Sequence, residues 1–313
     1  MRVLLLDIDS TIPNLALKKV EKYHLDKGDE VIWNMPIYLN QADKYYASCV
    51  FTKNRGEALK YKQLCPELII GGTGWDLTTN LPMEIDSVLP RINYGFTTRG
   101  CIRKCPFCFV PQKEGMIHSV GDIYDIWDGK SKQITLMDNN ILALPEYFET
   151  ICNQLIKEKL SVDFNQGLDI RLLTPQLCDL ISKIKFSTDI RFAFDNPKLA
   201  KTIRRKLTML QKYTTKRCLF YVLVGYDTTF EQDMERLILL KEWGCNAYVM
   251  RHENTPNEKR YIRMAEWANQ HWCFHKYDFE TFCVEYDKDH DSIKTPDLIT
   301  TNMFNCEPDM TGF

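Results

Sequence analysis

Twelve cysteines are spread along this 313-residue chain, and three of them fall within one short run. That run is Gly100-Cys101-Ile102-Arg103-Lys104-Cys105-Pro106-Phe107-Cys108, with the spacing C-x-x-x-C-x-x-C. Thiolates are soft ligands that suit iron–sulfur clusters or zinc. A structural zinc site closes with four ligands. No His or Cys sits just beyond Cys108, and nothing in the pattern pairs the more distant His118 with this loop. Three thiolates would hold three corners of a 4Fe–4S cluster and leave the fourth iron open. The other nine cysteines (Cys49, Cys65, Cys152, Cys178, Cys218, Cys245, Cys273, Cys283 and Cys306) are scattered. Most are expected to be reduced and buried as small apolar residues. The wide spacing of Cys273, Cys283 and Cys306 argues against a second cluster there.

The elements that must position this loop follow an α/β rhythm. Val3 to Ile8 is an apolar run of strand length, followed by a helical pattern that stops at Gly28. Val31 to Trp33, Ala47 to Phe51 and Leu68 to Ile70 read as further strands, with a helix from Gly56 to Leu64. The fourth strand ends in the glycine turn Gly71-Gly72-Thr73-Gly74. Strands alternating with helices predict a parallel sheet. Residues 1–80 are therefore expected to form a Rossmann-like domain, and the Pro-punctuated stretch 81–90 a linker. From Tyr94 the alternation resumes with six β/α units over 91–272. That is too few for a full eight-unit barrel and predicts a partial (β/α)6 TIM-type barrel. Residues 273–313 are polar without a clear period and read as a C-terminal extension. The cysteine run follows the first strand of the second series, at the carboxyl end where the active-site loops of such barrels lie.

The segment YGFTTRGCIRKCPFCFVP resembles the cluster loop of the radical S-adenosylmethionine (radical SAM) superfamily, with Phe107 as the aromatic residue before the last cysteine. The strand–helix order from Arg91 to about His271 resembles that superfamily as well. The resemblance implies that Cys101, Cys105 and Cys108 ligate a 4Fe–4S cluster and that SAM chelates its open iron. It implies reductive cleavage of SAM to methionine and a 5′-deoxyadenosyl radical, which abstracts hydrogen from an unknown substrate. It further implies a small electron donor such as flavodoxin or ferredoxin. Asp138-Asn139-Asn140 stands where the family carries a Gly-Gly-Glu-type segment. Arg171 (a carboxylate partner or an ordinary ion pair), Asp195 (a ribose contact or a turn residue), and Leu223, Val224 and Met250 (adenine packing or barrel core) complete the candidate SAM contacts. The N-terminal unit resembles the cobalamin-binding-like domain of some members, in degenerate form. The D-x-H-x-x-G motif is absent and His24 is the only His before the cysteine run, so cobalamin is not expected.

Composition bounds the alternatives. Hydrophobic residues make up 44% and aromatics 12%, which excludes a disordered chain. Lys+Arg number 40 against 42 Asp+Glu, for a net charge of -2, which excludes a globally basic nucleic-acid coat. Pro197 to Arg217 nevertheless holds eight Lys/Arg and no acid. That run is either a solvated helix face or a contact for the phosphates of a nucleic acid or nucleotide. No apolar stretch reaches membrane-spanning length and no signal peptide is visible, so a cytoplasmic protein without membrane contact is expected. A second class of function stays open: a non-catalytic iron–sulfur or zinc-binding module acting as a redox sensor or nucleic-acid binder.

Overall fold

The structure is a computed structural model that describes residues 1–252, 255–256 and 258–291, with the backbone alone for 286–291. Cys306 and the rest of 292–313 lie outside the described residues. The chain is mixed α/β with parallel sheets and divides into two compact units, Met1–Asp138 and Asn139 onward.

In the first unit, β1 (Arg2–Asp7), α1 (Leu15–Asp26), β2 (Glu30–Trp33), β3 (Lys44–Ser48), α2 (Arg55–Leu64) and β4 (Ile69–Gly71) follow in order. The four strands form one parallel sheet in the order β2-β1-β3-β4. β1 is apolar throughout its middle because it is an inner strand covered on both faces. Leu4 and Leu6 pack with Tyr45, Ala47, Ala58, Leu68 and Ile70 on one side. Val3 and Leu5 pack with Leu17, Val20, Tyr46 and Ile85 on the other. Each such buried side chain contributes roughly 1.5–3 kcal/mol. Asn14 caps α1 by accepting from the Leu17 amide, which fixes where the helix begins.

The carboxyl edge of this sheet is occupied by its own loops. Asp9 accepts from the amides of Val50 and Phe51 and from the Asn54 side chain. Gly72 has φ +100°, and a Cβ there would lie 2.3 Å from the Cys49 carbonyl oxygen. A Cβ on Gly74 would lie 2.4 Å from the Phe51 carbonyl carbon. The glycine turn is thus required for backbone-on-backbone packing between the ends of β3 and β4. His24 is buried in the same unit, with Nδ1 2.7 Å from Asp29 Oδ2 and Nε2 3.4 Å from the Tyr46 hydroxyl.

Beyond α3 (Met83–Asp86), the first unit continues through β5 (Tyr94–Gly95), β6 (Thr98–Arg99), α4 (Val110–Glu114), β7 (His118–Ser119), α5 (Ile123–Ile126) and β8 (Gln133–Leu136). β5 pairs in parallel with β8, and β6 pairs antiparallel with β7. The predicted strand Tyr94 to Thr97 is regular only over its first two residues. Its last residues turn into the β6–β7 hairpin, which bare periodicity does not reveal because each strand has two residues.

The second unit holds α6 (Pro145–Glu158), β9 (Ser161–Phe164), α7 (Pro175–Lys183), β10 (Lys185–Phe186), β11 (Ile190–Ala193), α8 (Ala200–Leu210), β12 (Cys218–Val224), α9 (Phe230–Glu242), β13 (Asn246–Arg251), α10 (Lys259–Asn269), α11 (His271–Lys276) and α12 (Phe279–Asp291). β10 pairs in parallel with β9, and β11-β12-β13 form a parallel sheet. The repeated strand–helix order places the starts of α7, α8, α9 and α10 after the carboxyl end of a strand. α9 opens with a capping box in which Thr229 and Gln232 exchange side-chain and backbone bonds. The extension read as aperiodic contains two helices, α11 and α12. Among the described side chains from Cys273 onward, Cys273, Phe274 and Phe282 are buried, too few to give a visible period. Among the described residues no helix is long and apolar enough to cross a membrane.

Candidate functional site

The cysteine run lies in the first unit, between β6 and α4, in a segment without regular secondary structure. The β6–β7 hairpin closes its two ends. The Cys101 amide donates to the Gly115 carbonyl at 3.2 Å and the Val120 amide to the Thr97 carbonyl at 2.9 Å. Glu114, at the end of α4, accepts from the Gly100 amide at 2.8 Å and pairs with Arg99 at 3.2 Å. Arg99 also lies 4.0 Å from the centre of the Phe96 ring. Gly100 has φ +82°, and a Cβ there would lie 2.6 Å from the Met116 carbonyl oxygen. Only glycine fits where the loop leaves the hairpin.

Inside the loop, the Cys108 amide donates to the Cys105 carbonyl at 3.0 Å, making a tight turn over Pro106-Phe107. The Arg103 amide lies 3.3 Å from Cys101 Sγ, an N–H directed at sulfur. Cys101, Cys105, Cys108 and Phe107 are all half-buried. By contrast Cys49, Cys65, Cys152, Cys178, Cys218, Cys245 and Cys273 are buried. Burial pushes the Cys49 and Cys152 thiols up to about 12, which makes them poor ligands at neutral pH. The donor set of the loop therefore suits a soft metal centre: three thiols close in sequence, accessible, with an amide available to a sulfur. Among the described residues no three His, Cys, Asp or Glu side chains are already gathered as a metal site. Ligation would draw the three thiols together, as is usual where metal binding completes a local fold.

Behind the loop stands Asp138, directly after β8 and almost wholly buried. Its Oδ1 accepts from the Thr97 amide at 3.0 Å and hydroxyl at 2.9 Å, and from the Thr98 amide and hydroxyl. Its Oδ2 is buried without a hydrogen-bond partner. Burial raises this carboxyl to about 6, against the four bonds that favour the charged form. Asp138 thus ties the end of β8 to the residues that launch the cysteine loop.

The remaining candidate residues lie in the second unit. Asn139 is half-buried and Asn140 buried. Arg171 forks onto Asp169, Nε to Oδ1 at 2.6 Å and Nη2 to Oδ2 at 2.9 Å. Asp195, past the end of β11, accepts from the Leu223 amide at 3.0 Å. Its carboxyl is raised by burial, while the Leu223 amide and the Arg236 charge pull it back. Leu223, Val224 and Met250 are buried, and β12 and β13 align Leu223 with Met250. The structure thus brings Asp195, Leu223 and Met250 to one end of the β11-β12-β13 sheet.

Sequence reasoning missed Glu114 and Arg236. Arg236 is 1% exposed and fully inside the second unit. Its Nη1 donates to the carbonyls of Phe194 (2.6 Å) and Asp195 (2.8 Å), and its Nη2 to the Leu223 carbonyl (2.8 Å) and the Asp233 carboxylate. Asp233 also accepts from the Gly225 amide. One guanidinium therefore holds the carboxyl ends of β11 and β12 in register. The sequence signal was available: Asp233 and Arg236 share the helix face of buried Leu237 and Leu240, where charge is costly unless paired.

No protein-family model and no curated protein sequence matches the chain. Among solved structures, it is similar to that of the radical S-adenosylmethionine methyltransferase TsrM from Kitasatospora setae with tryptophan substrate and the SAM analogue aza-SAM bound. The TM-score is 0.47 at 12% identity, over 86% of this chain and 71% of that chain. A likeness at that level carries no residue assignment from one chain to the other.

Proposed function

We propose that this chain is a radical SAM enzyme whose 4Fe–4S cluster is held by Cys101, Cys105 and Cys108. The observation that carries the reading is that three half-buried thiols share one short loop at ligand spacing, while of the other described cysteines seven are buried and half-buried Cys283 stands alone in sequence. When bound, the cluster and SAM together would supply a 5′-deoxyadenosyl radical for hydrogen abstraction.

The chain's own residues have separable roles in this reading. Asp138, through Thr97 and Thr98, fixes the start of the loop, and Glu114 fixes its exit by holding Gly100 and Arg99. Phe107, half-buried in the turn between Cys105 and Cys108, is the loop's proposed aromatic contact to the cofactors. Asp138, Asn139, Asn140, Arg171, Asp195, Leu223, Val224 and Met250 are the proposed SAM contacts. Among them Asp195 offers a carboxylate to hydroxyl groups and Leu223, Val224 and Met250 offer apolar walls. Reducing equivalents would come from a small electron donor such as flavodoxin or ferredoxin. The substrate class is left open, and no lower imidazole ligand for cobalamin is assigned.

The test is anaerobic reconstitution with iron and sulfide. The wild-type chain should take up about four irons per chain with broad visible absorption. Cys101→Ala, Cys105→Ala and Cys108→Ala should each lose it, while Cys152→Ala and Cys178→Ala should keep it. Full iron retention by Cys105→Ala would overturn the assignment. Zinc uptake in place of iron would favour the non-catalytic module.

A further inference from the structure

We propose that the outer face of α8 and the turn that follows it form a docking surface for a single strand of nucleic acid. α8 buries Ile203, Leu207 and Leu210 against the second unit. The opposite face carries Lys201, Arg205, Thr208 and then Lys212, spaced by four, three and four residues, so they line one stripe. Arg204 lies beside the stripe, and Lys216 and Arg217 continue it into the start of β12. All six cations are exposed, as is Lys198 before the helix.

Among the described residues, the exposed cations of this face have no carboxylate partners. On other helices some lysines meet carboxylates one turn away, Lys18 with Glu21, Lys22 with Asp26, and Lys183 with Asp179, while Lys62 and Lys241 donate to backbone carbonyls. Among the described residues, none of Lys198, Lys201, Arg204, Arg205, Lys212, Lys216 and Arg217 makes an ion pair. The run from Pro197 to Arg217 has no acid of its own to supply one. Only Lys206 is turned inward, donating to the Leu173 carbonyl at 2.6 Å. Arg204 leans over the Trp243 ring at 5.6 Å, and Lys216 reaches the Phe186 carbonyl at 3.5 Å. A row of unpaired cations about one helical turn apart, roughly 5.4 Å, presents repeated positive charge to a polyanion.

Two further features favour a nucleic-acid strand over other polyanions. Tyr213 is 40% exposed in the middle of the cationic run, where a base can stack on its ring. The stripe also leads to a cavity of about 330 Å³ lined by Gln211, Thr214, Thr215, Lys216 and Arg217 together with Cys218, Gly244 and Cys245. Amide, hydroxyl and cationic donors in one recess suit a phosphate or a base edge. A face that inserts into anionic membranes needs a band of apolar side chains beside its cations. Here Tyr213 is the single large exposed apolar side chain described between Pro197 and Arg217.

The surface uses none of the residues assigned to the cluster or to SAM, so its test is independent of the proposed chemistry. Fluorescence anisotropy would follow the full chain binding a labelled 20-nucleotide RNA and a DNA of the same sequence, between 50 and 200 mM salt, with anionic vesicles as competitor. The wild type should bind an oligonucleotide with affinity that falls steeply with salt. Lys201→Gln/Arg205→Gln/Lys212→Gln should lose at least tenfold in affinity. Its salt slope should be shallower by roughly 2, at about 0.7 per cation removed for a single strand. Tyr213→Ala should weaken binding with the slope unchanged. Tighter binding of RNA than DNA would assign contacts to the 2′-hydroxyl, and equal binding would assign phosphate and base stacking alone. Both results support the proposal. Equal affinities for wild type and a triple variant with unchanged circular dichroism would overturn it, as would absence of oligonucleotide binding or displacement of the strand by vesicles.

Discussion

Thr98 donates both its hydroxyl, at 2.6 Å, and its amide to a single oxygen of Asp138. With the matching pair from Thr97, one buried carboxylate oxygen anchors the start of β6, the strand that leads into the cysteine loop. The other oxygen of the same carboxylate is buried without a partner.

That asymmetry sets a pH dependence. Burial raises Asp138 to about 6 from an ordinary value of 3.8. Between those values the unfolded chain has released a proton that the folded chain keeps. Stability from this group is therefore greatest below pH 4 and is lost as pH rises to about 6. Asp138→Asn keeps an acceptor at Oδ1 and removes the charge. Its urea midpoint should gain on that of the wild type as pH rises from 4.5 to 6.5. Asp138→Ala leaves four donors unmet and should cost more than about 3 kcal/mol at either pH. A constant difference between wild type and Asp138→Asn across this range would contradict the assignment.

Gly100→Ala tests the loop exit alone. The residue has φ +82° and faces the Met116 carbonyl oxygen, so an added methyl must displace backbone. The fold should survive, with a loss of about 1–3 kcal/mol. Iron uptake should fall well below that of wild type under equal reconstitution. Gly129→Ala, also at positive φ but facing open space, is the control and should keep full iron uptake.

Arg236→Met removes the group that joins the ends of β11 and β12 and leaves Asp233 buried without its cation. The expected loss is roughly 3–5 kcal/mol by chemical denaturation. Asp233→Leu/Arg236→Met should recover part of that loss, because no lone charge remains. A double variant as unstable as the sum of the two single ones would show that the pair is not energetically coupled.

Cobalamin independence is a further prediction, motivated by the packing of the first unit's carboxyl edge. Asp9 and the glycine turn fill that edge with backbone contacts, and His24 is engaged at both ring nitrogens in the interior. Chain produced in cobalamin-free medium should match chain from supplemented medium in reductive SAM cleavage. Cleavage that appears only after supplementation would reverse this reading.

Much of the architecture was legible because it rests on long apolar periods. β1, α6, α9, β12 and β13 each carry enough buried residues to announce themselves, whereas β3 (Lys44–Ser48) begins three residues before the expected Ala47 to Phe51. The β6–β7 hairpin did not, since two-residue strands have no period and its geometry depends on positive φ at Gly100 and on Glu114, fourteen residues away. The cysteine loop was legible from ligand type and spacing. The roles of Asp138 and Arg236 were not, because each acts through backbone groups distant in sequence, 40 residues for Asp138 and Thr98 and 42 for Arg236 and Phe194. Arg171 was readable as a guanidinium in search of a carboxylate, but not that Asp169, two residues earlier, would supply it.

Radical SAM chemistry on this chain would be read out by product analysis of reconstituted protein mixed with SAM and dithionite under anaerobic conditions. Wild type and Cys152→Ala should each yield 5′-deoxyadenosine and methionine in equal amounts, and Cys101→Ala, Cys105→Ala and Cys108→Ala none above background. A cluster-loaded wild type that leaves SAM intact, or a Cys105→Ala variant that cleaves it at the wild-type rate, would contradict it.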